Sequence, residues 1–176
     1  PGAVQGAEPE GIVDKLDSAV VMTSRAGSAT PVTYSMVSKD ELRGTNPLNS
    51  LPMALALQPS VVSVNEGGTG LGYSKISVRG SKGAQINVTL NGITLNDAES
   101  QEVFWVNIPA LSNLLSSVQV QRGLGTSAAG PGAFGASINM NTSSVGADAY
   151  GSVDIGYGSY DTFTATAAAG TGLTRS

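Results

Sequence analysis

The chain has 176 residues, with nine Lys plus Arg, thirteen Asp plus Glu, no His and no Cys. Without Cys there is no disulfide scaffold, cysteine zinc site, iron-sulfur cluster or thiol nucleophile, and without His no Ser-His-Asp arrangement, so an enzyme is not expected. A net charge of -4 with scattered basic residues offers no cationic stripe to neutralise phosphates, so nucleic acid is not an expected partner.

Charged residues make up only 12% of the chain, and 23 glycines with many Ser, Thr and Ala stand in their place, which reads as tightly turned, β-rich backbone. No run approaches the roughly 18 apolar residues of a membrane-crossing helix, and no charged-then-apolar signal segment opens the chain. A membrane strand would escape that test, because its signature is alternation. The missing initiator Met suggests a processed or excised piece.

Residues 1–17 mix Pro, Gly and acid with little periodicity and read as a linker. Ser18 to Arg25, SAVVMTSR, has a short β-prone centre and reads either as an edge strand or as an extended peptide that pairs with a partner's sheet. Ser38 and Glu41 fit a capping box before a short helical turn. Asn46-Pro47 or Asn49 is expected to start a helix reaching Leu57, with Leu48, Leu51 and Leu55 on one face, Pro52 in its first turn and Pro59 as its stop. Val61 to Val64 reads as a strand, followed by the glycine-rich loop NEGGTGLG.

Ser74 to Arg79 alternates with Ile76 and Val78 on one side, and Gln85 to Leu90 does so with Ile86, Val88 and Leu90. Both are expected to be half-buried strands. Asn91-Gly92 between INVTL and ITLN signals a type I′ hairpin, whose two central residues need positive φ. ALSNLL after Pro109 suits a helix, Val118 and Val120 a strand ending at Arg122-Gly123, residues 123–135 a loop, and Ser137 to Thr142 a further strand. Beyond Val145, Val153, Ile155 and Tyr157 alternate with polar or small residues, as do Phe163, Ala165 and Ala167, across a Gly158-Ser159 turn. From pattern alone this is either a pair of barrel strands, apolar outside and polar inside, or a soluble amphipathic hairpin.

Gly123, Gly125 and Ala128 imitate the dinucleotide fingerprint G-x-G-x-x-A, but Gly130, Pro131 and Gly132 break the helix that should follow, and Ser143-Ser144 stands where the ribose acid belongs. A nucleotide-binding enzyme rests on those residues alone. Asp97, Glu99 and Glu102 cluster without EF-hand spacing and read as a solvated acidic loop rather than a cation site. Phe104-Trp105 beside them reads as a core anchor, with an aromatic ligand contact as the alternative. Arg79 and Arg122 each end a strand and precede Gly, where a guanidinium near a sharp turn can engage a carboxylate bidentately.

In order, TPVTYSMVSKDEL, LQPSVVSV, ISVRG, INVTLNGITLND and IPALSNLLSSVQVQRGLGTSAAGPGAFGASINMNTS resemble the plug domain of TonB-dependent outer-membrane receptors of Gram-negative bacteria. The resemblance covers residues 18–176, and its most specific stretch is VQVQRG, a Gly-rich turn and GASINMNT. It implies an α+β plug over 18–145, a small mixed sheet with two or three short helices. An antiparallel hairpin over 146–176 would then start a transmembrane β-barrel, the rest of a barrel of roughly 22 strands being missing and residues 147–176 poorly stabilised alone.

By the same resemblance, Ala19, Val20, Val21, Met22, Thr23 and Ser24 stand where the family has its TonB box. The family usually carries Val at the place of Met22 and Ala at that of Ser24. Arg79 and Arg122 would meet barrel carboxylates, although Gln119 and Gln121 stand where relatives often carry Glu and apolar residues. Gly67, Gly68, Thr69 and Tyr73, with Asp97, Glu99, Phe104 and Trp105, become the candidates for ligand-facing loops. The implied function is gating of active nutrient import, driven by a TonB-type coupling protein at the periplasmic side. The cargo would be a ferric siderophore, or alternatively cobalamin, haem or a glycan, and no resident cofactor is implied. A β-rich surface or adhesion module without transport is the competing expectation.

Overall fold

Strand pairing in this chain follows from two-residue alternation that stays in phase across neighbours. The computed structural model describes residues 25–26, 32–44, 50–109, 111–124, 134–142 and 148–172. The expected linker 1–17, the segment 18–24, Leu48 with the helix starts at Asn46-Pro47 and Asn49, and the fingerprint residues Gly125 and Ala128 lie outside these. Nine strands and three short α-helices are described, beside two three-residue 3-10 turns at Gly83–Gln85 and Trp105–Asn107: β1 (Thr33–Ser38), α1 (Lys39–Gly44), α2 (Leu51–Ala54), β2 (Val61–Asn65), β3 (Ser74–Val78), β4 (Ile86–Leu90), β5 (Ile93–Thr94), α3 (Leu111–Leu114), β6 (Leu115–Arg122), β7 (Ala136–Thr142), β8 (Tyr150–Gly158) and β9 (Thr162–Gly170). Among the described residues no helix is long and apolar enough to cross a membrane.

The main sheet has five strands in the order β1-β6-β7-β4-β5, with β4 and β7 parallel and the other pairs antiparallel. Val120, Ile138 and Val88 stand opposite one another across three strands, as do Val118, Met140 and Leu90. This apolar face packs on α2 and on β3, with Leu51, Leu55 and Val78 almost fully enclosed. One step along each strand the pattern inverts: Gln119, Asn139 and Thr89 align, then Gln121, Ser137 and Asn87. These six polar residues are buried too. β4 is therefore buried on both faces rather than half-buried, because it lies between β7 and β5 and its polar side is covered as well.

Ser38 and Glu41 form the expected capping box: Glu41 Oε2 accepts from the Ser38 amide at 2.7 Å and its hydroxyl at 2.9 Å, while the Glu41 amide donates to Ser38 Oγ at 3.3 Å. The next helix is shorter than its leucine spacing suggested. Ser50, extended at φ -60 and ψ 156, is its N-cap and Pro52 lies in its first turn, so the helix begins only at Leu51. It ends at Ala54, since Gln58 and Val61 donate three residues back to Leu55 and Gln58, at 3.0 and 3.2 Å. The helix after Pro109 likewise stops at Leu114, because Leu115 pairs with Thr142 in the sheet.

The Asn91-Gly92 turn has φ values of 50 and 82, as a type I′ hairpin demands. Asn91 also ties β7, accepting from the Thr142 amide at 3.0 Å and donating to its hydroxyl at 2.9 Å. Replacing Asn91 by Ala should destabilise the chain by about 1–2 kcal/mol in urea unfolding, through left-handed strain and the lost ties. Beyond the two-residue β5, the Asn96 side chain takes over the sheet edge. It accepts from the Val88 amide at 2.8 Å and donates to the Ile86 carbonyl at 2.9 Å, as a neighbouring strand would.

The β8–β9 hairpin pairs over its full length, from Tyr150 opposite Gly170 to Gly158 opposite Thr162. Its turn lies slightly later than expected, with Tyr160 and Asp161 taking positive φ of 59 and 53. Val153, Ile155, Tyr157 and Phe163 are 61–73% exposed, while the polar side faces the rest of the chain. Arg43 meets Asp154 at 3.4 Å and the Asn113 side chain donates through Nδ2 to Thr166 Oγ1 at 3.2 Å. A soluble amphipathic hairpin would bury the other face, so the alternation is that of barrel strands.

Candidate functional site

Two regions hold some of the residues that sequence singled out: the paired Arg-Gly turns, and a groove along β2 and β3. Arg79 and Gly80 occupy a tight turn, both left-handed at φ 50 and 84, closed by reciprocal bonds of 3.0 Å between Val78 and Ser81. Gly123 follows Arg122 with φ 105, a conformation that L side chains rarely adopt. The two turns meet, for the Arg79 guanidinium donates to the Arg122 carbonyl at 3.3 Å.

The two arginines differ in their surroundings. Arg79 is exposed, whereas Arg122 is 6% exposed and donates through Nε to the Pro59 carbonyl at 2.8 Å and through Nη2 to Ser35 Oγ. Burial, and secondarily the charge of Arg79, lower the Arg122 pKa from the usual arginine value. Among the described residues the ion pairs are Arg43 with Asp154 and Lys75 with Glu66, so no carboxylate described here neutralises either turn.

The groove, about 760 Å³, runs between the β2–β3 hairpin and residues 102–105. Tyr73 and Phe104, from the two candidate loops, both line it, and both are about half or more exposed. Trp105 contributes to its wall but is 4% exposed and packed in the core, as its reading as an anchor anticipated. Val62 and Val64 add an apolar strip, and Lys75, Glu66, Lys82 and Glu102 supply charge. The Lys75 ammonium lies 2.6 Å from the Glu66 carboxylate, which raises the Lys75 pKa. Sequence reading missed these residues. Val62 and Val64 carried a usable signal, being apolar at alternate positions on the face of β2 away from Val61.

The other candidates do not line the groove. Gly67, Gly68 and Thr69 sit in a loop held by Asn65, whose side chain donates to the Leu71 carbonyl at 2.8 Å and accepts from the Gly70 amide at 3.2 Å. Asp97 is spent on its own turn, accepting from the Glu99 amide at 3.1 Å, the Ser100 amide at 2.8 Å and the Ser100 hydroxyl at 3.0 Å. Those bonds to Ser100, chiefly, hold its pKa below the usual carboxylate value. Glu99 is exposed beside it. No group of three or more acidic residues among the described residues is arranged to hold a metal ion. The candidate segment Ala19–Ser24 lies outside the described residues.

The model of the TonB-dependent receptor plug domain matches residues 26–137, spanning β1 to the start of β7 with both Arg-Gly turns and the groove. The chain belongs to the TonB-dependent receptor plug family. No curated protein matches it by sequence. Solved structures share the plug's fold. The ferric yersiniabactin uptake receptor FyuA of Yersinia pestis is 24% identical over 81% of this chain and 22% of that one, with a TM-score of 0.58. The copper transporter OprC is 19% identical over 78% and 21%, at 0.57. The hemophore receptor HasR of Serratia marcescens, a double mutant in complex with its hemophore HasA and heme, is 17% identical over 79% and 22%, at 0.58. The plug with its hairpin thus spans about a fifth of the length of these structures.

Proposed function

We propose that this plug closes an outer-membrane active transporter of a Gram-negative bacterium, a transport protein rather than an enzyme, and that a TonB-type protein opens it by capturing Ala19–Ser24 as an added strand. The carrying observation is the β8–β9 hairpin, which turns apolar side chains outward and rests its polar face on the plug. That is the arrangement of a lumen-filling domain against the inside of a membrane barrel. The exposed Arg79 guanidinium, backed by the buried Arg122, supports a meeting with barrel carboxylates at the paired turns.

Cargo enters on the Tyr73–Phe104 groove, where aromatic faces and a few charged groups suit a compact, polar-decorated small molecule. A ferric siderophore is the proposed class, in keeping with the ferric yersiniabactin receptor among the neighbours. The copper transporter and the hemophore receptor share the same plug architecture, so the cargo is set by side chains rather than by fold.

The test is binding of the chain to the periplasmic domain of a TonB protein from the same organism. Saturable binding that is lost in Val21→Pro is expected, because proline removes a backbone donor from the added strand. Equal binding by the variant would overturn capture at residues 19–24 and move it to another segment, while no binding by either would overturn that capture and favour a non-transporting surface module.

A further inference from the structure

The two faces of the main sheet are held by different chemistry. The apolar face, with Val118, Val120, Ile138 and Met140, is locked by burial, and uncovering it exposes apolar area to water. The opposite face presents Ser117, Gln119 and Gln121 from β6 beside Ser137 and Asn139 from β7. A cover over such a face exchanges hydrogen bonds with water when it leaves, so it separates at far lower cost.

The chain's own residues 25 and 26 dock on that polar face. Gln119 reads the Ala26 peptide as a strand edge would, its Oε1 accepting from the Ala26 amide at 2.9 Å and its Nε2 donating to the Ala26 carbonyl at 2.9 Å. The Gln121 side chain donates through Nε2 to the same Gln119 oxygen at 2.7 Å, which fixes which way the Gln119 side-chain amide faces. Arg25 adds a bond to Ser117 Oγ at 3.0 Å. Ala26 is 5% exposed, and its methyl group offers little apolar burial to hold it.

We propose that Gln119, oriented by Gln121, is a latch that pins the segment entering the plug at Arg25–Ala26, and that it opens before any pull from residues 19–24 reaches the sheet. The docking rests on the geometry alone; the pull rests on the proposed function. The polar pair at positions 119 and 121 then has a role of its own, in place of a contact to Arg122.

Trypsin cleavage of the full chain after Arg25 reads the latch directly, with cleavage after the exposed Arg43 as internal reference and Trp105 emission as the check on folding. Two buried bonds lost in Gln119→Ala should speed the Arg25 cut about tenfold or more, with the Arg43 cut unchanged. Ser117→Ala, which leaves the amide pair intact, should speed it less. Should Gln119→Ala disturb Trp105, Gln119→Asn is used, since it keeps an amide but withdraws it by one methylene. An unchanged Arg25 cut in a variant with native emission would overturn the latch. The TonB periplasmic domain added to the parent chain separates the two ideas: a faster Arg25 cut supports release by capture. A response to Gln119→Ala without one to TonB supports the latch and counts against capture.

Discussion

Gly135→Ala should destabilise the chain by about 3 kcal/mol, measured by urea unfolding followed through Trp105. A Cβ at residue 135 would land on the Ser81 side chain and lie 3.2 Å from the Gln85 carbonyl. The backbone has no room to retreat. The Gly135 amide donates to Gln85 at 3.0 Å and its carbonyl accepts from Gly123 at 2.9 Å, so any shift breaks a bond at one of two turns. Ser81→Gly in the same chain removes the obstacle and should restore at least about 1 kcal/mol, a coupling expected of side chains that share one space. Gly83→Ala is the contrast, since the three atoms nearest its Cβ all belong to the Glu102 side chain, which is exposed and can swing away. It should change stability by less than about 0.5 kcal/mol. Equal losses at 135 and 83 would mean that the two Arg-Gly turns are not packed as closely as described.

Ile138→Ala should remove about 3 kcal/mol by the same measurement. Ile138 is fully enclosed between Val120 and Val88 on neighbouring strands, so the vacated volume is lined by residues fixed in register. Val153→Thr, in an equally regular strand, should cost less than about 0.5 kcal/mol, because Val153 is 71% exposed. A large loss at Val153 would mean that copies of the chain bury the hairpin's apolar face against each other, and light scattering would then report association.

What could be read from sequence, and what could not, divides along local and distant information. The Asn91-Gly92 turn, the Ser38–Glu41 box and the alternation of β3, β6, β7, β8 and β9 are encoded within a few residues, and the structure contains them all. Helix ends were misjudged where a distant strand competes, as at Leu115, whose partner Thr142 lies far along the chain. The burial of Asn87 and Thr89 was not legible for the same reason, since only the neighbours of β4 make its polar side interior. Of the site, the two arginines were found as a repeated motif, and their meeting at 3.3 Å required the fold. Tyr73 and Phe104 were candidates separately, and their shared groove comes from the tertiary placement of β2 and β3.

The order of strands in the main sheet also sets the order in which it can form. β7 is the last of the five along the chain, yet it lies in the middle, with β6 and β1 on one side and β4 and β5 on the other. Until Ala136 to Thr142 is present, only the local hairpin of β4 and β5 and the long-range pair of β1 with β6 are available, and nothing in the sheet joins them. The plug sheet should therefore form late and in one cooperative step, at the slow pace of folds built on non-local pairing. A nascent chain passing through a narrow channel would remain open until that strand had emerged.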